Sequence, residues 1–104
     1  MNDNVVNALI EVKVTPQKTS GFDNIATEIA SFSEVKSLYL MSGGYDLAIF
    51  IETPTLKDVG NFVSQKLACL DVLSTATHFI LKCYKHDGKS LSEDGGVKRQ
   101  KVWM

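Results

Sequence analysis

The chain has 104 residues, of which 44% are hydrophobic and 22% charged, with a formal net charge of −1. That length holds one domain with a modest core, and the charge provides no broad basic field to hold a phosphate backbone, so direct DNA binding is not expected. No apolar stretch approaches the roughly 20 residues of a membrane span. Met1-Asn2-Asp3-Asn4 has neither the positive charge nor the apolar run of a secretory signal, so a cytoplasmic protein is expected.

Val5 to Val14 reads as a strand, rich in β-branched residues and stopped by Thr15-Pro16. Val6, Ala8, Ile10, Val12 and Val14 form one apolar face, while Asn7, Glu11 and Lys13 interrupt the other. Ser20-Gly21-Phe22-Asp23 fits a capping box, and Phe22, Ile25, Ile29 and Phe32 then make one helical stripe.

Val35 to Ser42 is the second predicted strand and runs straight into Gly43-Gly44. Such a pair between two β-rich runs signals a hairpin, because both residues adopt positive φ without a Cβ clash. Tyr45 to Glu52 follows, apolar on both faces and therefore central in its sheet. Thr55-Leu56-Lys57-Asp58 repeats the capping pattern, and Leu56, Val59, Val63, Leu67 and Leu70 give a second helical stripe. Gly60 inside that helix is either a close approach of backbones or a tolerated defect costing about 1 kcal/mol relative to alanine.

The fourth strand lies within Asp71 to Lys85, with Thr75, Thr77, Phe79, Leu81 and Cys83 alternating against Ala76, His78, Ile80, Lys82 and Tyr84. Residues 1–85 thus form the domain, and 86–104 read as a polar, flexible tail. Cys69 and Cys83 fall in apolar surroundings without CxxC spacing and read as buried structural thiols.

This order of elements is βαββαβ, an α+β ferredoxin-like topology with a four-stranded antiparallel sheet. Right-handed crossovers place both helices on one face. The opposite face then exposes several hundred Å² of apolar surface, near the limit that monomers tolerate. At about 25 cal/mol per Å², covering it contributes on the order of 10 kcal/mol before association costs. A second copy packed face to face, giving a dimeric α/β barrel-like assembly, is the simplest cover.

Catalytic motifs are scarce: there is no phosphate-binding Gly-rich loop with its lysine, no Gly-x-Ser-x-Gly and no His-Glu-x-x-His. No catalytic residue is assigned, and no cofactor is expected. His78, His86, Cys69 and Cys83 lack metal-ligand spacing, so no metal site is expected either. The dense constellation is Ser42-Gly43-Gly44-Tyr45-Asp46, where turn amides suit a carboxylate and Asp46 suits an ammonium. A zwitterionic amino acid carries both charges, and Thr75 and Thr77 add hydroxyls. The bland alternative is a tight turn whose aspartate satisfies its own amides.

Glu34-Val35-Lys36-Ser37-Leu38-Tyr39-Leu40-Met41-Ser42-Gly43-Gly44-Tyr45-Asp46-Leu47 resembles the effector-binding domain of Lrp/AsnC-type transcription regulators. Val72 to Lys82 is similar to that family's last strand with its alternating threonines. The resemblance implies a stand-alone domain that dimerises through its sheet, assembles further, and binds an amino acid between dimers. Carried over by position, Ser42, Gly43, Gly44, Tyr45 and Asp46 line the pocket with Thr75 and Thr77 opposite. Four residues before the first strand leave no room for the family's helix-turn-helix, so co-assembly with a full-length Lrp/AsnC-type regulator is the implied route to transcription. Two other readings compete. One is a small dimeric α+β barrel enzyme of the cofactor-free oxygenase or isomerase type with His78 as base. The other is an architectural subunit without a ligand.

Overall fold

A computed structural model describes residues 4–16 and 21–90. The elements are β1 (Val6–Val14), α1 (Asp23–Ala30), β2 (Val35–Leu40), β3 (Leu47–Thr53), α2 (Leu56–Asn61), β4 (Val72–Phe79), β5 (Lys85–His86) and β6 (Lys89–Ser90). The first four strands form one sheet in the order β2-β3-β1-β4, every pair antiparallel. This is the ferredoxin-like arrangement, with β1 and β3 central.

Strand periodicity decides which side is filled. Ala8, Ile10, Val12 and Val14 of β1 pack with Leu47, Ile49 and Ile51 of β3 against Ile25, Ile29, Val59, Phe62 and Leu67 from the helical segments. Both helical segments therefore cover one face. The register puts Leu9 opposite Phe50 and His78, Tyr39 opposite Ala48, and Glu11 opposite Ala48 and Ala76. Directly paired residues share a face, so these side chains lie on the open side of the sheet.

The first helix starts at Asp23 with Phe22 at its N-cap and no side-chain cap, and Ser20 of the expected capping box lies outside the described residues. The second capping box forms: Asp58 N–H donates to Thr55 Oγ1 at 3.2 Å, and that hydroxyl donates to Asp58 Oδ2 at 2.9 Å. The stripe of this second helix needs correction. Leu56 is 63% exposed and Phe62 is fully buried. After α2 the chain makes a π-helical turn over Phe62–Lys66 and a 3-10 turn over Leu67–Cys69. Val59 and Leu67 of the expected stripe are buried and Val63 and Leu70 pack against the core, while Phe62, three residues after Val59, joins the inward set.

Gly60 is a tolerated defect in this structure, because a Cβ built there meets nothing within 4 Å. Its φ is not positive either. Gly60→Ala is expected to stabilise the fold by about 0.5–1 kcal/mol, read as a higher urea midpoint with an unchanged slope.

Beyond β4, the polar segment expected to be flexible from residue 86 opens with a two-stranded hairpin. Lys85 pairs with Ser90 and His86 with Lys89. Asp87 (φ 50°) and Gly88 (φ 77°) form its two-residue turn, the positive-φ pair that matches strand twist. Residues 91–104 lie outside the described part. Both cysteines are free, and neither is buried: Cys69 is exposed and Cys83 half-exposed. They lie where the last helical turn ends and where the chain has left the sheet, so neither reaches the core.

Candidate functional site

The connection from β2 to β3 occupies residues 41–46 and is longer than the expected two-residue hairpin. Met41 N–H donates to Asp46 O at 2.8 Å and closes the loop, while Asp46 N–H donates to Val12 O at 2.9 Å. Asp46 Oδ2 accepts from Val14 N–H at 3.0 Å, a bond that spans 32 residues. Asp46 therefore ties the loop to the end of β1 through backbone and side chain together. Only Gly43, at φ +121°, takes a left-handed conformation; Gly44 does not, contrary to the expectation for both. Any side chain at Gly43 is strained for that reason.

Ser42, Gly43 and Gly44 are exposed, and Tyr45 and Asp46 half-buried. Among the described residues, the amides of Gly43, Gly44 and Tyr45 donate no hydrogen bond. Asp46 Oδ1 likewise accepts none. The loop thus presents unsatisfied N–H donors beside a carboxylate fixed through its other oxygen.

Thr75 pairs with Val12 and Thr77 with Ile10. Both threonines share the helix-side face by register yet remain exposed, because β4 is an edge strand beyond the helices' cover. Asp46 and Thr75 flank the same residue of β1, one toward β3 and one toward β4. Two strand spacings separate them by about 10 Å. The loop and Thr75 therefore lie on either side of the end of β1. Sequence reading missed that Leu40 and Met41, at one edge of the sheet, and Leu73, at the other, are exposed. Leu73 is pushed out by a bulge, since Val14 pairs with Val72 while Lys13 pairs with Ser74.

Other polar groups gather elsewhere. Glu11 and His78 pair at 3.3 Å on the open sheet face. His78 is therefore not under the helices, and its neighbours are Glu11, Leu9 and Ala76 rather than a closed cavity. At the far end of the sheet, Lys66 Nζ donates to both oxygens of Glu34, at 2.7 and 2.8 Å, and lies 5.3 Å from the centre of the Phe32 ring. The Lys66 hydrogen bonds hold the Glu34 carboxyl below its ordinary value. Because the folded pKa is depressed, the stabilisation is present above the ordinary glutamate range and is lost as pH falls through the folded value. The pair is partly solvent-exposed, so Glu34→Gln is expected to cost about 0.5–1 kcal/mol at pH 7 and nothing near pH 2. Urea midpoints at the two pH values check this.

Three clefts of about 300 Å³ lie away from the 41–46 loop, and none is lined by a candidate ligand residue. Among the described residues no group of three His, Cys, Asp or Glu side chains is placed to hold a metal ion. No helix among them is long and apolar enough to cross a membrane.

Residues 7–90 match the Lrp/AsnC ligand binding domain. The chain belongs to the Lrp/AsnC family. It is 55% identical over 95 residues to the uncharacterized HTH-type transcriptional regulator YugG of Bacillus subtilis, covering 90% of this chain and 57% of that protein. An HTH-type transcriptional regulator of Pyrococcus horikoshii is 30% identical over 78 residues, covering 75% of this chain and 50% of the relative. The chain thus spans about half the length of the curated relatives it matches. Among solved structures, a hypothetical protein from Pyrococcus horikoshii superposes with a TM-score of 0.66 at 28% identity, covering 79% of this chain and 96% of that one. A transcriptional regulator from Neisseria meningitidis, solved as a complex with L-Met, has the same fold with a TM-score of 0.72 at 22% identity, covering 81% of this chain and 55% of that one. The Lrp/AsnC domain described here is therefore the ligand-binding part of a family of transcriptional regulators.

Proposed function

We propose that this Lrp/AsnC domain senses a free amino acid at the 42–46 loop, with Thr75 and Thr77 as the facing wall. The observation that carries this is the loop itself. Asp46 is locked by Val14 N–H through one carboxylate oxygen, and the amides of Gly43, Gly44 and Tyr45 stand unsatisfied beside it. The amides receive the ligand carboxylate and Asp46 Oδ1 its ammonium. The fold neighbour crystallised with L-Met supports a ligand of this class.

Two copies pair through their open sheet faces, and the exposed Leu40, Met41 and Leu73 join dimers so that the two walls of each site are closed by a neighbour. Co-assembly with full-length Lrp/AsnC-type regulators then transmits ligand binding to transcription. Each hydrogen bond to a charged group contributes about 1.5–3 kcal/mol, which places affinity in the micromolar to millimolar range after binding costs. A thermal-shift screen with each of the twenty amino acids at millimolar concentration tests the reading. A rise in melting temperature with one or a few of them is expected. No rise with any of them, while the protein is assembled, contradicts it.

A further inference from the structure

Glu11 stands on the open sheet face between two central positions. It pairs with Ala48 of β3 on one side and Ala76 of β4 on the other, so only methyl groups flank it across the sheet. Its carboxylate reaches His78 Nε2 at 3.3 Å, with the Glu11 side chain 33% and the His78 side chain 55% exposed in a single copy. The imidazole comes from the next open-face position of β4, where His78 pairs with Leu9.

Within one copy, water solvates both groups and the pair contributes little. Covering the face with a second copy takes that water away, and an uncompensated charge left there is strongly unfavourable. The proton on His78 then decides the outcome. An imidazolium cancels the Glu11 charge, whereas a neutral imidazole leaves the carboxylate bare.

The other titratable groups on this side lie further from the pair. Lys13 stands beside Ser74 at one end of β1, and Glu52 of β3 stands opposite Asn7 at the other. Tyr39 of the edge strand β2 packs its ring edge-on against Phe50. Lys36 and His86 line the cleft at the Asn7 end, His86 lies 3.8 Å from Asp87, and Lys82 lies over the Tyr84 ring. Lys13 is the nearest other cation along β1, but it is exposed and forms no ion pair among the described residues. Its long stem lets its ammonium stay in water at the rim.

We infer that pairing through the open face is proton-linked: closing it draws a proton onto His78 of each copy, and the Glu11–His78 pair makes the dimer tighter as pH falls. This rests on the pairing of two copies through the open face, but not on amino-acid binding. The sign follows from linkage, since a dimer that holds more protons than two separate copies dissociates more readily as pH rises. The gain is fully present below the ordinary histidine value of about 6.5 and is lost as pH rises above it.

Sedimentation equilibrium of the full chain at pH 6 and pH 8, at one ionic strength, tests it. The dimer dissociation constant is expected to rise about 10- to 100-fold from pH 6 to pH 8, within what two linked protons per dimer allow. His78→Gln is expected to flatten this dependence and to hold the constant near the wild-type value at pH 8. Glu11→Gln is expected to reverse it, because the imidazolium is then the bare charge and the dimer is tighter at pH 8. That reversal is an independent probe should His78→Gln misfold, and urea melts of dilute protein check the folding of both. A wild-type constant that is equal at the two pH values overturns the proton link and leaves the sheet pairing standing. A wild-type slope that survives His78→Gln does the same. A chain that stays monomeric at both pH values overturns the pairing itself, and the proton link with it.

Discussion

Replacing Asp46 by asparagine is expected to weaken amino-acid binding by about 10- to 150-fold while leaving the fold intact. The first half follows from the charge: an ammonium held by a carboxylate loses about 1.5–3 kcal/mol when its partner becomes neutral. The second half follows from the bond between Asp46 Oδ2 and Val14 N–H. An asparagine carbonyl still accepts that hydrogen, so the loop stays tied to β1. Asp46→Ala differs, because it also leaves the Val14 amide unsatisfied and is expected to cost about 1–3 kcal/mol of stability. Calorimetric titration of both variants, with a urea melt of each, separates the ligand role from the structural one. Equal binding by wild type and Asp46→Asn removes Asp46 from the site.

Leu9→Lys is expected to abolish pairing of two copies. Leu9 lies on the open face, opposite Phe50 on one side and His78 on the other. It is half-buried within a single copy, so the stem of a lysine rests on its neighbours and its head reaches water while the face is uncovered. Closing a second copy over that face buries an unpaired ammonium from each copy, and a dissociation constant at least 100-fold higher is expected. Light scattering across a concentration series reads this, with the melting temperature at low concentration as the check on folding. An unchanged dimer shows that the open face is not the contact.

Much of the fold was legible because a strand has a period of two. The two-sided pattern of β3 placed that strand at the centre of the sheet, and the even residues of β1 marked its core-facing side, where the structure has them. The first helical stripe held for the same kind of reason, with Ile25 and Ile29 inward. The second held at Val59, Val63, Leu67 and Leu70, but Leu56 is exposed at the first turn and Phe62, three residues after Val59, is a core residue outside the expected stripe. The hairpin at Asp87-Gly88 was readable from its turn residues alone, yet no apolar alternation flanks it to draw attention there.

For the candidate site, the residue types in the 42–46 loop were legible and their geometry was not. The tie between Asp46 and Val14 joins residues 32 apart and depends on where β1 ends against β3. The exposure of Thr75 and Thr77 likewise depends on how far the helices reach over β4. Leu40, Met41 and Leu73 read as strand residues in the sequence, but Leu40 ends an edge strand, Met41 lies in the loop and Leu73 sits at the bulge, and all three are exposed. In the proposed assembly these residues give the amino-acid site its boundary, so the sensing site and the contact between dimers are one surface.

Amide chemical-shift mapping on the assembled protein tests that claim most directly, using the amino acid that raises the melting temperature most. The account predicts that the largest shifts fall on Gly43, Gly44, Tyr45 and Asp46, with Thr75 and Thr77 moving alongside them. Shifts confined to another cleft, such as the one lined by Ser33, Glu34 and Lys66, or no shifts at saturating millimolar ligand, contradict it.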